Sequence, residues 1–215
     1  MERRRPDNPG SSTWLAERLA GPAHALGVAL DAEAIERLAH YAALVIDWGE
    51  RVNLTGARTR EALADEHLAD ALALLPQLPT ASFRFIDVGS GAGLPGLVLA
   101  LLRPDAEGTL LEPTQKKRAF LTHAVRALTL APRVEARAER LEAHLEAGAA
   151  GRYDVAVSRA TWPAARWLEL GRPLVRPGGW LLGLEGAEGG ELPAGATRHV
   201  YRIGDRRRAV VRLRV

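Results

Sequence analysis

One ten-residue stretch, Asp87-Val-Gly-Ser-Gly-Ala-Gly-Leu-Pro-Gly96, limits the folds open to this chain more than any other. It joins a strand-like run, Phe83–Val88, to a helix-like one, Pro95–Leu102. A glycine loop between strand and helix brings backbone N–H groups up against a ligand. Gly91, Gly93 and Gly96 also satisfy the G-x-G-x-x-G spacing of a dinucleotide site, so the spacing alone leaves the ligand open, and a tight turn without one stays an alternative. Asp87 argues against a dinucleotide, because a carboxylate here repels a pyrophosphate and suits a cationic amine. Pro95 fits the first turn of a helix, and Gly96 permits close packing behind the ligand.

The flanking segments give the loop its setting. Asp31 reads as a helix N-cap, and Ile35, Leu38, Ala42, Val45 and Val52 follow at helical spacing. A second helical pattern runs through Ala64, Leu68, Ala71, Leu72 and Leu75 and stops at Pro76 and Pro79. Residues 14–80 are expected to form a helical cap, behind a polar tail over 1–13 expected to be mobile. After residue 80 the period changes. Strand-like runs at Phe83–Val88, Thr109–Leu111, Val134–Ala136, Tyr153–Ser158 and Trp180–Leu184 alternate with helix-like ones. The helices are expected at Pro95–Leu102, Gln115–Leu130, Glu139–Ala147 and Ala164–Leu170. This alternation predicts an α/β domain over 81–215 with a doubly wound parallel sheet. His199–Ile203, a Gly204-Asp205 turn and Ala209–Val215 read instead as an antiparallel hairpin. A parallel sheet closed by such a hairpin resembles the Rossmann-like class I fold of S-adenosylmethionine (SAM)-dependent methyltransferases more than a dehydrogenase.

Composition removes several classes of chemistry. Cysteine is absent, which excludes disulfides, thiolate nucleophiles and Cys-based zinc sites together. His24, His40, His67, His123, His144 and His199 show neither HxxxH nor HxxH spacing, so no metal site is expected. No apolar run reaches the roughly 18 residues of a membrane span, and the first residues lack the apolar core of a secretory leader. A cytoplasmic monomer is expected. Charge is uneven: residues 1–80 hold 8 Arg against 12 Asp/Glu, net −4, and residues 81–215 hold 21 Lys/Arg against 14, net +7. A polyanion would therefore meet most of its attraction in the second part.

Further residues fall at positions where such a fold does its chemistry. Glu112 ends the second strand, the place for a carboxylate that accepts both ribose hydroxyls, although an exposed acid beside Lys116 and Lys117 is the alternative. Ala138 and Glu139 follow the third strand, where backbone and an acid flank an adenine ring; Glu139 equally suits a first helical turn. Lys116, Lys117 and Arg118 open a helix, where cations oppose the macrodipole, so an anion contact is expected. Arg159 offers a fixed fork of donors for phosphate or a guanine edge, with an ion pair to the cap as the alternative. Asn53 is a candidate at the mouth of the site or a local turn. Trp162 is a candidate for base stacking, whereas Trp167 and Trp180 are expected in the core. The Arg206-Arg207-Arg208 run suits phosphates or a solvated turn equally.

Taken together, these motifs resemble the bacterial small-subunit (16S) rRNA guanine-N7 methyltransferases, the glucose-inhibited division protein B family. Trp48-Gly-Glu-Arg-Val-Asn53-Leu-Thr55 is similar to the family's W-N-x-x-x-N-L-T, with Gly49 replacing the first Asn. His67-Leu-Ala-Asp70 is similar to its H-I-x-D, and Asp87–Gly96 to its D-x-G-[ST]-G-x-G-[FL]-P-G. Leu111–Leu121 and Ser158-Arg159-Ala160 resemble two further blocks, so the resemblance runs from about Tyr41 to Glu185. It implies SAM as donor, held by Asp87, Gly89, Ser90, Gly91, Gly93, Leu94, Glu112, Pro113, Ala138, Glu139 and Arg159. It implies a guanine N7 of 16S rRNA in the small subunit as acceptor, with Asn53 and Arg159 at the reacting centre. Lys116, Lys117, Arg118, Arg159 and Trp162 would then meet RNA.

N7 carries an in-plane lone pair and no proton, so its methylation needs no general base, only alignment. Amino-group methyltransferases acting on adenine carry an Asn/Asp-Pro-Pro-aromatic motif after the fourth strand. Here that place reads Ser158-Arg-Ala-Thr-Trp-Pro163, which disfavours an exocyclic amine. The chain departs from the family at Glu66, where Arg or Lys is usual, at Ala71 in place of Ser, and at Glu185-Gly186 in place of Lys-Gly. Two of these add repulsion toward phosphate. A small-molecule acceptor beneath the cap is therefore the alternative, and a non-catalytic SAM- or RNA-binding protein a third.

Overall fold

The computed structural model describes residues 12–215. The expected tail at 1–13 falls outside these except for its last two residues, and Thr13 already begins a helix. The cap opens with α1 (Thr13–Ala25) and α2 (Ala32–Gly49). The Asp31 side chain accepts the Ala34 N–H at 2.7 Å, as expected of an N-cap, a bond that stabilises a helix by about 1 kcal/mol. The second helical pattern forms a segmented helix: α3 (Arg60–Leu63), a π turn (Ala64–Leu68) and α4 (Ala69–Leu72). The widened π turn is the detail that apolar spacing does not reveal. Such turns are frequent at functional sites, and this one carries Glu66 and His67.

The sheet contains β1 (Arg84–Val88), β2 (Glu107–Leu111), β3 (Val134–Arg137), β4 (Tyr153–Arg159), β5 (Val175–Gly186), β6 (Thr197–Ile203) and β7 (Arg206–Arg214). Helices α5 (Gly96–Leu102), α6 (Gln115–Ala127), α7 (Leu141–His144, continued by a π turn) and α8 (Ala164–Leu170) connect the parallel strands. Strand order is β3-β2-β1-β4-β5-β7-β6. The first five strands are parallel; β7 lies antiparallel between β5 and β6. The C-terminal hairpin thus inserts its second strand into the sheet, which sequence spacing could not specify.

Some boundaries shift. The helix after the glycine loop starts at Gly96, with Pro95 as its cap residue, and α6 ends at Ala127 rather than Leu130. The helix expected from Glu139 starts at Leu141. Strand β5 begins five residues before Trp180. Central strands are apolar on both faces because helices cover both. On one face, Leu15, Leu19, Leu38 and Tyr41 of the cap join Leu97, Phe120, Val157 and Val210 in a single cluster. On the other, Ile86, Val88, Ala156, Leu181 and Leu213 pack with Leu141 of α7 and Trp167 of α8.

Candidate active site

The sheet reverses its winding between β1 and β4, and in open α/β sheets ligands bind at such a switch point, beyond the carboxyl ends of the strands. A cleft of about 820 Å³ opens there. Its walls come from the ends of β1, β2 and β4, from the cap at Leu54–Gly56 and Asp65–His67, and from the hairpin at Ile203, Arg206 and Arg208.

The glycine loop builds one wall through distinct steric roles. Gly91 has φ +57°, and a Cβ there would meet only the Gly89 carbonyl at 3.9 Å, so the open space belongs to the cleft. Gly96 faces the opposite way: a Cβ would lie 2.5 Å from Leu110 Cδ2 and 2.7 Å from Asp87 Oδ2. It lets α5 pack directly against β1 and β2. Gly89, Ser90 and Leu94 also line the cleft, whereas Gly93 turns toward Leu97 and Leu121 of the core. Tyr41 of the cap donates its buried hydroxyl to the Ala92 carbonyl at 2.8 Å and so ties the loop to α2.

Asp87 lies under the loop and not on the cleft wall. It is fully buried, and its Oδ2 accepts the Gly96 N–H at 2.9 Å, while Oδ1 has no hydrogen-bond partner among the described residues. Burial pushes its carboxyl up to about 6, against the pull of the Gly96 N–H, the Ser90 hydroxyl and Arg159. Glu112 is on the wall and only 5% exposed. Its Oε2 accepts from Gly91 N at 3.0 Å and its Oε1 from Thr114 N at 2.8 Å. Among the described residues no ion pair joins it to Lys116 or Lys117. Each oxygen accepts one of these bonds and keeps further acceptor capacity, which suits a vicinal diol. Pro113 and Glu139 continue this wall, and Ala138 is exposed just outside it.

Of the basic trio at the start of α6, Lys117 lines the cleft, Lys116 is exposed, and Arg118 is half-buried, its Nε without a hydrogen-bond partner among the described residues. Arg159 stands on the wall at the end of β4. Its Nη1 donates to His67 Nδ1 at 2.7 Å, so its tie to the cap is a hydrogen bond to a neutral ring rather than an ion pair. Burial and the Arg159 charge press the His67 ring down to about 4, with Asp70 opposing. Trp162 lines the cleft and stacks on buried Trp167 at 5.9 Å. Trp180, expected in the core, is half-buried beneath the Arg212 guanidinium at 3.7 Å. Asn53 is exposed and outside the wall that Leu54, Thr55 and Gly56 form.

Sequence reasoning did not find the joint between cap and hairpin. Asp70 is 1% exposed; its oxygens accept from Arg208 Nε at 3.1 Å and Nη2 at 2.8 Å, and Tyr201 also donates to it. No local signal reveals a bond between residues so far apart. The same hairpin answers the reversed charges. Arg206 lies 3.7 Å from Glu66, and Arg198 pairs with Glu185 at 2.8 Å. Ala71 is buried in the core.

Comparison with known proteins identifies the family. The profile of the GidB family, rRNA small subunit methyltransferase G, matches residues 34–197. The chain belongs to this family. The ribosomal RNA small subunit methyltransferase G of Sorangium cellulosum is 39% identical over 199 residues, covering 92% of this chain and 80% of that one. The protein of the same name from Halorhodospira halophila is 42% identical over 161 residues, covering 75% and 74%. Two solved structures are similar in fold alone. The putative methyltransferase yhhF from Escherichia coli has TM-score 0.55 and 17% identity over 68% of this chain and 86% of its own. The METTL16 MTase domain has TM-score 0.55 and 15% identity over 100% and 96%. This member of the methyltransferase G family is thus a class I methyltransferase, and its reversed charges at 66 and 185 face arginines of its own hairpin.

Proposed function

We propose that this protein transfers the methyl group of SAM to N7 of a guanine in 16S rRNA, acting as a cytoplasmic monomer. The carrying observation is Glu112, a nearly buried carboxylate on the cleft wall at the end of β2, bonded to the loop glycine whose missing side chain leaves the cleft open. The donor set fits SAM: Glu112 for the ribose hydroxyls, the Gly89–Gly91 backbone beside the amino-acid portion, and Glu139 beside the purine. When bound, SAM supplies a sulfonium-borne methyl group. The protein's part is placement. Arg159, hydrogen-bonded to His67 and lining the cleft, has further N–H groups to offer a guanine edge or a phosphate. Trp162, backed by Trp167, offers a flat face for an unstacked base. Acceptor N7 has no proton to remove, so alignment with the methyl group carries the rate, and the neutral His67 ring serves Arg159 instead of acting as a base. Membership of the methyltransferase G family supports the RNA acceptor, and the pairing of Glu66 with Arg206 and of Glu185 with Arg198 offsets the reversed charges.

The decisive experiment is mass mapping of 16S rRNA from a deletion strain. One N7-methylguanosine should be lost and should return with the intact gene. An unchanged modification profile overturns the RNA reading, and a calorimetric titration without SAM binding overturns the cofactor.

A further inference from the structure

His144 and Tyr153 have no role in the placement described above, yet they belong to a chain of polar side chains that begins on the cleft wall. His144, on α7, is 3% exposed. Its Nδ1 lies 2.8 Å from Glu139 Oε2, and its Nε2 lies 2.8 Å from the Tyr153 hydroxyl. Thr109 Oγ1 stands 3.3 Å behind that hydroxyl. Glu139 itself lines the cleft, and its other oxygen lies 3.6 Å from Arg137 Nη1.

Donor and acceptor counting fixes the direction of the first bond. An ionised carboxylate has only lone pairs to offer, so the hydrogen between Glu139 and His144 belongs to Nδ1. This holds for the neutral ring, which then accepts at Nε2 from Tyr153, and for the charged ring, which donates at both nitrogens. Either way, one Glu139 oxygen is occupied by a donor from behind and the carboxylate is held as an acceptor. A bond to a charged acceptor is among the stronger ones, and a residue buried this deeply has little freedom to turn away.

We infer that His144, backed by Tyr153, is a positioning residue that keeps Glu139 an acceptor facing the purine of the cofactor, so that the cleft selects a 6-amino purine over a 6-oxo one. The inference rests on the SAM reading and on the place it gives Glu139. An amino group donates to a fixed carboxylate. A carbonyl at the same position sets lone pair against lone pair and leaves the buried acceptor unpaired.

The test is calorimetric and needs no turnover: binding of S-adenosylhomocysteine and S-inosylhomocysteine to the full chain. The unsubstituted protein is expected to prefer the adenosine compound by about tenfold to a hundredfold. His144→Phe should collapse that ratio, chiefly by weakening the adenosine compound. His144→Asn, whose amide nitrogen falls near the place of Nδ1, should restore it, and His144→Gln should not. Glu139→Gln, at a half-exposed position that tolerates change, should lower the ratio without relying on α7 packing. An undiminished ratio in His144→Phe or Glu139→Gln overturns the proposal, as does an Asn variant as poor as Phe, which would mark a packing role. Failure of both compounds to bind the unsubstituted protein overturns the SAM reading first and the proposal with it.

Discussion

At the scale of single residues, Gly91 and Gly96 separate binding from folding. Gly91→Ala meets open space but a left-handed backbone, a strain of roughly 1 kcal/mol, and it places a methyl group in the cleft. Gly96→Ala meets Leu110 and Asp87 at contact distances that force the helix to move, a cost of about 1–3 kcal/mol. Thermal melts and SAM titrations are therefore expected to split: the first variant loses more affinity than stability, the second loses both. Asp87 predicts a pH effect. Its folded value, about 6, lies above the unfolded 3.8, so the native state binds the extra proton between them and stability from this group is lost as pH rises through that window. The whole effect is at most about 3 kcal/mol. His67, lowered to about 4, acts oppositely and costs stability as pH falls below 6.5. Asp87→Asn isolates the first: its melting temperature relative to the unsubstituted protein should climb between pH 4 and 6 and be flat above 7. A difference independent of pH would refute the assignment. Asp87 also shows why residue roles were half legible. Its type and position stood out in the sequence, but that Oδ2 turns to the Gly96 N–H depends on how closely α5 packs on β1.

At the scale of elements, local pattern placed the strands and helices because each buries a face with its own period. The glycine loop, Glu112 and Arg159 could be placed in advance for the same reason, since each sits at a strand end. The π turn at Ala64–Leu68, the insertion of β7 beside β5, and the bond from Asp70 to Arg208 depend on partners distant in sequence. Asp70→Ala tests that joint. It strands a half-buried arginine and the Tyr201 hydroxyl, and a loss of about 3 kcal/mol is expected from urea denaturation, the low end for a broken buried pair because Arg208 retains some access to water. The hairpin makes a second prediction. Arg202 and Arg207 face each other across β6 and β7, both exposed, with no acidic partner within ion-pair distance among the described residues. Like charges so placed repel, and a polyanion relieves them. Replacing both with Ala should weaken RNA binding and reduce the slope of log K against log salt by about 1–2. An unchanged slope would remove these arginines from the RNA contact.

At the scale of the whole molecule, the pattern-based division at residue 80 is crossed by the apolar core. Leu15, Leu38 and Tyr41 share one cluster with Phe120, Leu182 and Val210. Cap and sheet are held further by Tyr41 on the loop, His67 on Arg159 and Asp70 on the last hairpin. That last bond has a meaning for the protein while it is being made. Asp70 and Arg208 are 138 residues apart in the chain. At bacterial translation speeds of about 5–20 residues per second, roughly 7–28 s separate the synthesis of the two. Through that interval the nascent cap holds a carboxylate destined for burial and still without its arginine, so its docking waits for the hairpin to leave the ribosome.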